Sequence, residues 1–292
     1  MTKKIVIFGG NGQVGLACVR ALRGLGEVFA PSRNHLDLMD LPAVEKYLEN
    51  AMPDLVVNAA AYTKVDAAET EFEIARTLNQ LVPQCLAEFC DRHGKPLVHF
   101  STDYVYSGKG LNPWVETDTP APMNAYGRTK LAGDLIVQEV CSKHLILRTS
   151  WVISTTGPNF VRSIIQKACK RHPISVVCDQ IGSPTSVELI AGAVRDGCLH
   201  GLQGLFHVTS TGYGSWADVA DHILSHPSLI DYRQIVSRVS SPEYKTKAQR
   251  PLNSRLDCSK WDQLRLGKRQ HWKPNVDMVV EGLMENFLRR NR

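Results

Sequence analysis

The chain has 292 residues, 43% of them hydrophobic, enough to bury a substantial core in one large α/β unit carrying a smaller lobe. Its net charge is only +5 with no run of Lys and Arg longer than two, which excludes a nucleic-acid-binding stripe, and nowhere do about eighteen apolar residues follow one another, which excludes a spanning helix. The opening apolar run is too short for an export signal, and eight scattered cysteines without a C-x-x-C pair read as reduced thiols, so a cytoplasmic location is expected.

In chain order, a β-branched run at 5–8 leads into Gly9-Gly10-Asn11-Gly12-Gln13-Val14-Gly15, after which Val14, Cys18, Leu22 and Leu25 recur at helical spacing. Further buried strands are predicted at 28–30, 55–60, 97–100 and 145–147, with helical patterns between most of them. Strands alternating with helices imply an α/β fold with a doubly wound parallel, Rossmann-like sheet. Beyond Trp151 the pattern loosens into a helix at 159–171, a strand at 175–177, a helix at 186–195, a strand at 206–208 and a helix led by Ser215. Residues 227–257 are polar and rich in turn formers, as a lobe laid over the sheet's C-terminal edge would be. The expected division is therefore a dinucleotide-binding domain over 1–150, rejoined by segments around 175–200, and a mainly substrate-binding lobe over 151–292. Arg289, Arg290 and Arg292 read as the solvated end of a helix, complementing its dipole.

The glycine stretch satisfies G-x-G-x-x-G and G-x-x-G-x-x-G together, directly after a strand and at the start of a helix. Gly9, Gly12 and Gly15 permit a tight turn and close approach of a pyrophosphate, which the helix N-terminus then holds with free N–H groups. At the end of the second strand, where an NAD enzyme would place a carboxylate, the chain reads Ser32-Arg33. A hydroxyl and a guanidinium suit a 2′-phosphate, so NADPH is preferred over NADH, the alternative being that Arg33 is a plain surface residue. Asp37 is a candidate for the adenine edge.

Tyr126 and Lys130 form Y-x-x-x-K, one helical turn apart on one face, a pair that needs context before it carries meaning. The strand Leu97-Val98-His99-Phe100-Ser101-Thr102-Asp103 supplies it, delivering hydroxyls to the sheet end where such folds bind ligands. A carbonyl receiving hydride needs a proton on its oxygen. A phenol, with a reference pKa of about 10, is a poor donor until an ammonium beside it favours the phenolate. Lys130 would supply that charge to Tyr126 and bond the nicotinamide ribose, while Thr102 would hydrogen-bond the substrate carbonyl.

These motifs, with Val57-Asn58-Ala59-Ala60-Ala61-Tyr62-Thr63, Val65-Asp66, Glu69, Ser101-Thr102-Asp103-Tyr104-Val105-Tyr106, Ala125-Tyr126-Gly127-Arg128-Thr129-Lys130-Leu131-Ala132-Gly133, Leu147-Arg148-Thr149-Ser150-Trp151, Asp179-Gln180-x-Gly182-Ser183-Pro184-Thr185 and Arg250-Pro251-x-Asn253-Ser254-x-Leu256-Asp257, resemble the dTDP-4-dehydrorhamnose reductase family of extended short-chain dehydrogenases over nearly the whole chain. The resemblance implies Tyr126 as proton donor beside Lys130, Thr102 and Asp103 at the sugar, and Trp151 stacked near the deoxysugar or base. It also implies Gly12, Gln13, Val14, Asp37, Ala61, Tyr62 and Thr63 along the cofactor. The reaction it implies is NADPH-dependent reduction at C4 of dTDP-4-keto-L-rhamnose to dTDP-L-rhamnose. Three departures stand out. Ser32 replaces the aspartate many members carry, Ala17 occupies the place of a glutamate that joins a magnesium-bridged dimer in some bacterial members, so no such dimer is expected, and Asp134 replaces a glutamate in what reads as a minor surface change.

Other constellations carry less. His222 and His226 stand i, i+4 as metal ligands would, but lack the H-E-x-x-H form and read as surface residues, so no metal site is expected. Ser215 and Asp218 form a capping box, Trp216 and Trp272 are packing residues, and Arg250 either grips a nucleotide diphosphate bidentately or makes a structural salt bridge. The competing functions are a sugar-nucleotide epimerase that retains NAD+, and a non-catalytic regulatory subunit of the same fold. The expected ligand is a small nucleotide sugar, with no nucleic acid and no membrane, and no oligomeric state is read from the sequence.

Overall fold

The computed structural model describes residues 2–290. Its strands are β1 (Lys4–Phe8), β2 (Glu27–Phe29), β3 (Leu55–Asn58), β4 (Leu97–Thr102), β5 (His144–Thr149), β6 (Val152–Ile153), β7 (Ile174–Val177), β8 (Ile181–Gly182), β9 (Thr185–Ser186), β10 (Gly204–His207), β11 (Gly214–Ser215) and β12 (Val236–Val239). The helices are α1 (Gln13–Leu22), α2 (Leu41–Ala51), α3 (Val65–Ala68), α4 (Phe72–Arg76), α5 (Val82–Arg92), α6 (Ala125–Val140), α7 (Phe160–Cys169), α8 (Val187–Leu199), α9 (Trp216–Ile223), α10 (Ser259–Asp262) and α11 (Trp272–Arg290), with a π-helical turn at Thr77–Leu81. The side chains of Arg289, Arg290 and Arg292, expected at a solvated helix end, lie outside the described residues.

Six parallel strands form the central sheet in the order β10-β5-β4-β3-β1-β2. The chain runs from β1 outward to β2 and then returns to the other side of β1 with β3. That reversal opens a crevice beyond the C-terminal ends of β1 and β3, where the glycine turn and residues 59–63 lie. β1 and β3 are buried on both faces, so they read as continuous apolar runs rather than alternating ones. Val6, Phe8, Val56, Leu86 and Phe89 fill one side of the sheet, and Ile5, Cys18, Leu22, Val57 and Val194 the other.

A second core, built on Ile164, Ile165, Val176, Val219, Trp272 and Val279, gathers α7, α9, α11 and β7. β7 pairs there with β12 rather than with the central sheet, so the chain rejoins that sheet through α8, which packs on α1, and β10. Ser215 caps α9 as expected, its hydroxyl accepting from Asp218 N at 3.0 Å while Asp218 Oδ2 accepts from Ser215 N at 2.8 Å. Among the described residues no helix is long and apolar enough to cross a membrane.

Candidate active site

The glycine turn is closed by Gly12 N donating to Gly9 O at 2.9 Å. Gly9 has φ +76°, and a Cβ there would stand 2.5 Å from Ala60 N; a Cβ on Gly15 would stand 2.1 Å from Gly9 O. Strand, turn and helix are thus pressed together at a spacing only glycine allows. α1 begins at Gln13 with no side chain capping it and no acid in its first turn, which leaves its first N–H groups and positive dipole end for an anion. These features fit a dinucleotide's pyrophosphate. Gln13 itself is engaged across the crevice: its Nε2 donates to Pro158 O at 3.0 Å, and its Oε1 accepts from Ser154 Oγ at 2.8 Å and Asn159 Nδ2 at 3.2 Å.

Ser32 and Arg33 lie just past β2. Ser32 Oγ pairs with His35 Nδ1 at 2.7 Å, whereas Arg33 is exposed with no hydrogen-bond partner among the described residues. Asp37, also exposed, accepts from Met39 N at 3.1 Å. On the other wall, residues 61–63 are fixed by a side chain that sequence reasoning missed. Asn79, buried on the π-helical turn, accepts from Tyr62 N at 2.8 Å and donates to Tyr62 O at 3.1 Å and Thr129 Oγ1 at 3.1 Å.

The expected catalytic set converges at the end of β4. Asn124 caps α6 by accepting from Gly127 N at 2.8 Å, and Glu69 Oε1 accepts from Ala125 N at 2.8 Å, so two otherwise orphaned donors fix the first turn that carries Tyr126. A Cβ on Gly127 would stand 2.2 Å from Tyr104 O, which shows how closely that turn meets the segment after β4. Tyr126 is half-buried; burial holds its phenol above the ordinary range, the Thr102 hydroxyl against it pulls the other way, and the Asp103 charge adds to the rise. Lys130 is buried, and loss of water pushes its amine down to about 8 while Asp134 partly restores it. Its Nζ donates to Phe100 O at 2.6 Å and lies 3.3 Å from His99 Nε2; it makes no hydrogen bond to Tyr126. Thr102 Oγ1 donates to Asp103 Oδ1 at 3.1 Å. Burial lifts the Asp103 carboxyl to about 7, against the opposing pull of Ser254 and Thr102.

One expectation changes here, and two site residues acquire protein partners. Asp134 is no surface residue: it is fully buried, accepting at Oδ2 from Ser101 Oγ at 2.6 Å and Arg148 Nε at 3.1 Å, because position 134 falls on the same face of α6 as Tyr126 and Lys130. Arg250 spends its fork on Asp66, donating to Oδ2 at 2.7 Å and Oδ1 at 3.1 Å, so in this structure its bidentate partner is a protein carboxylate rather than an open diphosphate site. Trp151, at φ +48°, stacks on Trp216 with centroids 3.6 Å apart and abuts Gly182, so one face of the indole is already covered by a protein ring. Of the two histidines weighed as ligands, His222 lies 2.8 Å from Asp277 Oδ1 and edge-on to Trp272, and no group of three or more His, Cys, Asp or Glu able to hold a metal occurs among the described residues.

A family model described as the RmlD substrate binding domain matches residues 3–284. The chain is 38% identical over 271 residues to a dTDP-4-dehydrorhamnose reductase of Escherichia coli (strain K12), covering 89% of this chain and 91% of that one. Its backbone superposes with a TM-score of 0.91 on a dTDP-4-dehydrorhamnose reductase from Clostridium acetobutylicum, at 32% identity over 96% of this chain and 99% of the other. A Bacillus anthracis dTDP-4-dehydrorhamnose reductase solved in complex with NADP gives 0.89 at 32% identity, covering 99% of this chain and 100% of that one. Sequence and backbone agree over almost the full length, and the chain belongs to the dTDP-4-dehydrorhamnose reductase family.

Proposed function

We propose that this chain reduces the C4 keto group of dTDP-4-dehydro-L-rhamnose to give dTDP-L-rhamnose, using NADPH, in the cytoplasm. The observation that carries the reading is the convergence of Thr102, Tyr126 and Lys130 at the C-terminal end of β4, in the same sheet as the glycine cradle after β1. We assign the central sheet with α1 to α6 and α8 to the dinucleotide, and the second core with the segment before α10 to the sugar nucleotide. A cavity of about 990 Å³ supports the second assignment: Lys109, Lys245, Lys247 and Arg255 line it against the single lining acid Asp179, with Arg250 already paired to Asp66, a balance that suits a diphosphate.

When bound, the reduced nicotinamide supplies the hydride. Gly9, Gly12, Gln13, Val14 and Gly15 hold its pyrophosphate on the α1 N-terminus, Ser32 and Arg33 face its 2′-phosphate, and Asp37 and residues 61–63 flank its remainder. Thr102, whose hydroxyl proton goes to Asp103 in the absence of substrate, turns it to the substrate carbonyl, and Tyr126 gives its phenolic proton to the same oxygen as negative charge grows there. Burial makes the phenol a weak acid, and the Thr102 hydroxyl against it works the other way; an ammonium at Lys130 on the same helix face would further favour proton release near neutral pH. Asp103 and Trp151 bound the sugar. The test is to add dTDP-4-keto-L-rhamnose to purified protein, follow absorbance loss with NADPH and with NADH, and identify the sugar formed. Stoichiometric oxidation of added NADPH with formation of dTDP-L-rhamnose is expected; protein that arrives with tightly held NAD+ and consumes no added NADPH would be an epimerase instead.

A further inference from the structure

The face of the central sheet behind Lys130 is polar where a core would be apolar. Three strands contribute in register: Asn58 on β3 stands opposite His99 on β4, and Ser101 on β4 stands opposite Arg148 on β5. His99 and Ser101 are two residues apart and so share one side of β4; Lys130 and Asp134 are one turn apart and share one side of α6. The two pairs interlock, with His99 Nε2 lying 3.3 Å from Lys130 Nζ and 3.6 Å from Asp134 Oδ1. The side chains of His99 and Asp134 are both 0% exposed, and Asp134 Oδ1 has no hydrogen-bond partner among the described residues. A buried carboxylate oxygen left in that condition is costly unless something nearby uses it.

The hydrogen-bond pattern fixes the imidazole's proton. Asn58 Oδ1 accepts from Ala60 N at 3.2 Å, which sets the amide's orientation, so Asn58 Nδ2 is the donor to His99 Nδ1 at 3.1 Å. Nδ1 is therefore unprotonated, and the proton of the neutral ring sits on Nε2, facing the amine and the carboxylate together. Burial and the Lys130 charge both hold the imidazole far below its ordinary range, so it does not acquire a second proton near neutrality. An ammonium at Lys130 offers only donors, so the acceptor that Nε2–H faces is Asp134 Oδ1, which at 3.6 Å lies beyond hydrogen-bond distance and acts on the ring through its charge. We propose that His99 and Asp134 are positioning residues for Lys130: Asp134, which also pairs with Arg148, supplies the buried negative charge that keeps Lys130 an ammonium, and His99 stands between the two as the neutral Nε2–H ring. The proposal rests on the reductase reading for its catalytic meaning, but not for its test.

The charged and titratable groups facing this pair are Lys130 and Tyr126 from α6 and Arg148 from β5, with Asp103, just past β4, acting on Tyr126. Heteronuclear NMR on the full chain reads the pair without turnover. In wild type, His99 should appear as the neutral Nε2–H tautomer, and Lys130 Cε, assigned by its loss in Lys130→Met, should titrate near pH 8. In Asp134→Asn the Lys130 midpoint should fall by about one pH unit or more, as expected for losing an opposite charge at this range, and Asp134→Glu should restore it. The alkaline limb of kcat for NADPH oxidation should move with the midpoint, whereas loss of packing alone would lower the folded fraction and leave that limb in place. An unshifted Lys130 midpoint in Asp134→Asn overturns the proposal. Because that variant leaves Arg148 without its partner and can fail to fold, the wild-type spectrum decides separately: a proton on His99 Nδ1 overturns the proposal too. Wild type inactive toward the sugar nucleotide would sink the reductase reading and leave the Lys130 titration to judge the pair.

Discussion

Gly15→Ala tests the cradle most directly. The added methyl would stand 2.1 Å from Gly9 O, 2.7 Å from Gly9 C and 2.8 Å from Gly10 Cα, all backbone atoms that no side-chain rotation can clear. Ordinary contact requires the turn and α1 to separate by more than an ångström, and overpacking of this kind costs about 1–3 kcal/mol. If the strain falls on the conformation that receives the pyrophosphate, the same energy weakens NADPH binding by roughly 5- to 150-fold, since each 1.4 kcal/mol is a factor of ten. Gly24→Ala is the control, because a Cβ there meets no atom within 4 Å, and it should leave both binding and stability within about 0.5 kcal/mol of wild type. The assay is NADPH titration by nicotinamide fluorescence, with thermal unfolding alongside. Gly15→Ala binding NADPH as tightly as wild type would refute the reasoning that close backbone packing shapes the cofactor site.

Tyr126→Phe should keep NADPH affinity and lose about 10²- to 10⁴-fold in kcat, the range for removing a general acid, measured under saturating substrate. For Arg250, a double-mutant cycle of Arg250→Ala with Asp66→Asn should show strong non-additivity in KM, because the two side chains act as one unit; additive effects, with KM raised by Arg250→Ala alone, would return Arg250 to the diphosphate. Asp103 should make stability fall with pH. Folding raises its pKa from about 4 to about 7, so the native state keeps a proton that the unfolded chain releases, and the stability tied to that proton is full below about pH 4 and lost as pH rises through 7. Asp103→Asn carries no such charge, so its Tm should gain on wild type steadily between about pH 5 and pH 8 by calorimetry; parallel curves would contradict the burial argument.

The sheet and the cofactor turn were legible because their signals are local. A β-branched run, three glycines at fixed spacing and an amphipathic helix follow one another without interruption, and Tyr126 and Lys130 declare their shared face by being four residues apart. What stayed hidden depends on register between distant segments. His99 and Arg148 look like polar interruptions of strands, and only the alignment of β3, β4 and β5 shows that they form a row with Asn58 and Ser101. The step of eight residues from Tyr126 to Asp134 was available as a signal and points to burial rather than to the surface. Asn79 could not be found this way, since a π-helical turn changes which residues face inward and leaves no compositional mark. Trp151 and Trp216, 65 positions apart by their numbering, gave no hint of stacking, nor did Asp66 and Arg250 of their pairing.

The sheet's sixth strand comes from residues 204–207, after the chain has already laid down the first part of a different core. A fragment cut at residue 150 would therefore leave β5 with a bare edge of unpaired N–H and C=O groups, and α1 without the helix it packs against. Such a piece is primed to stick to other copies of itself. On the ribosome the same strand order delays closure of the central sheet until residues 151–207 have emerged, while most of the second core is still to come.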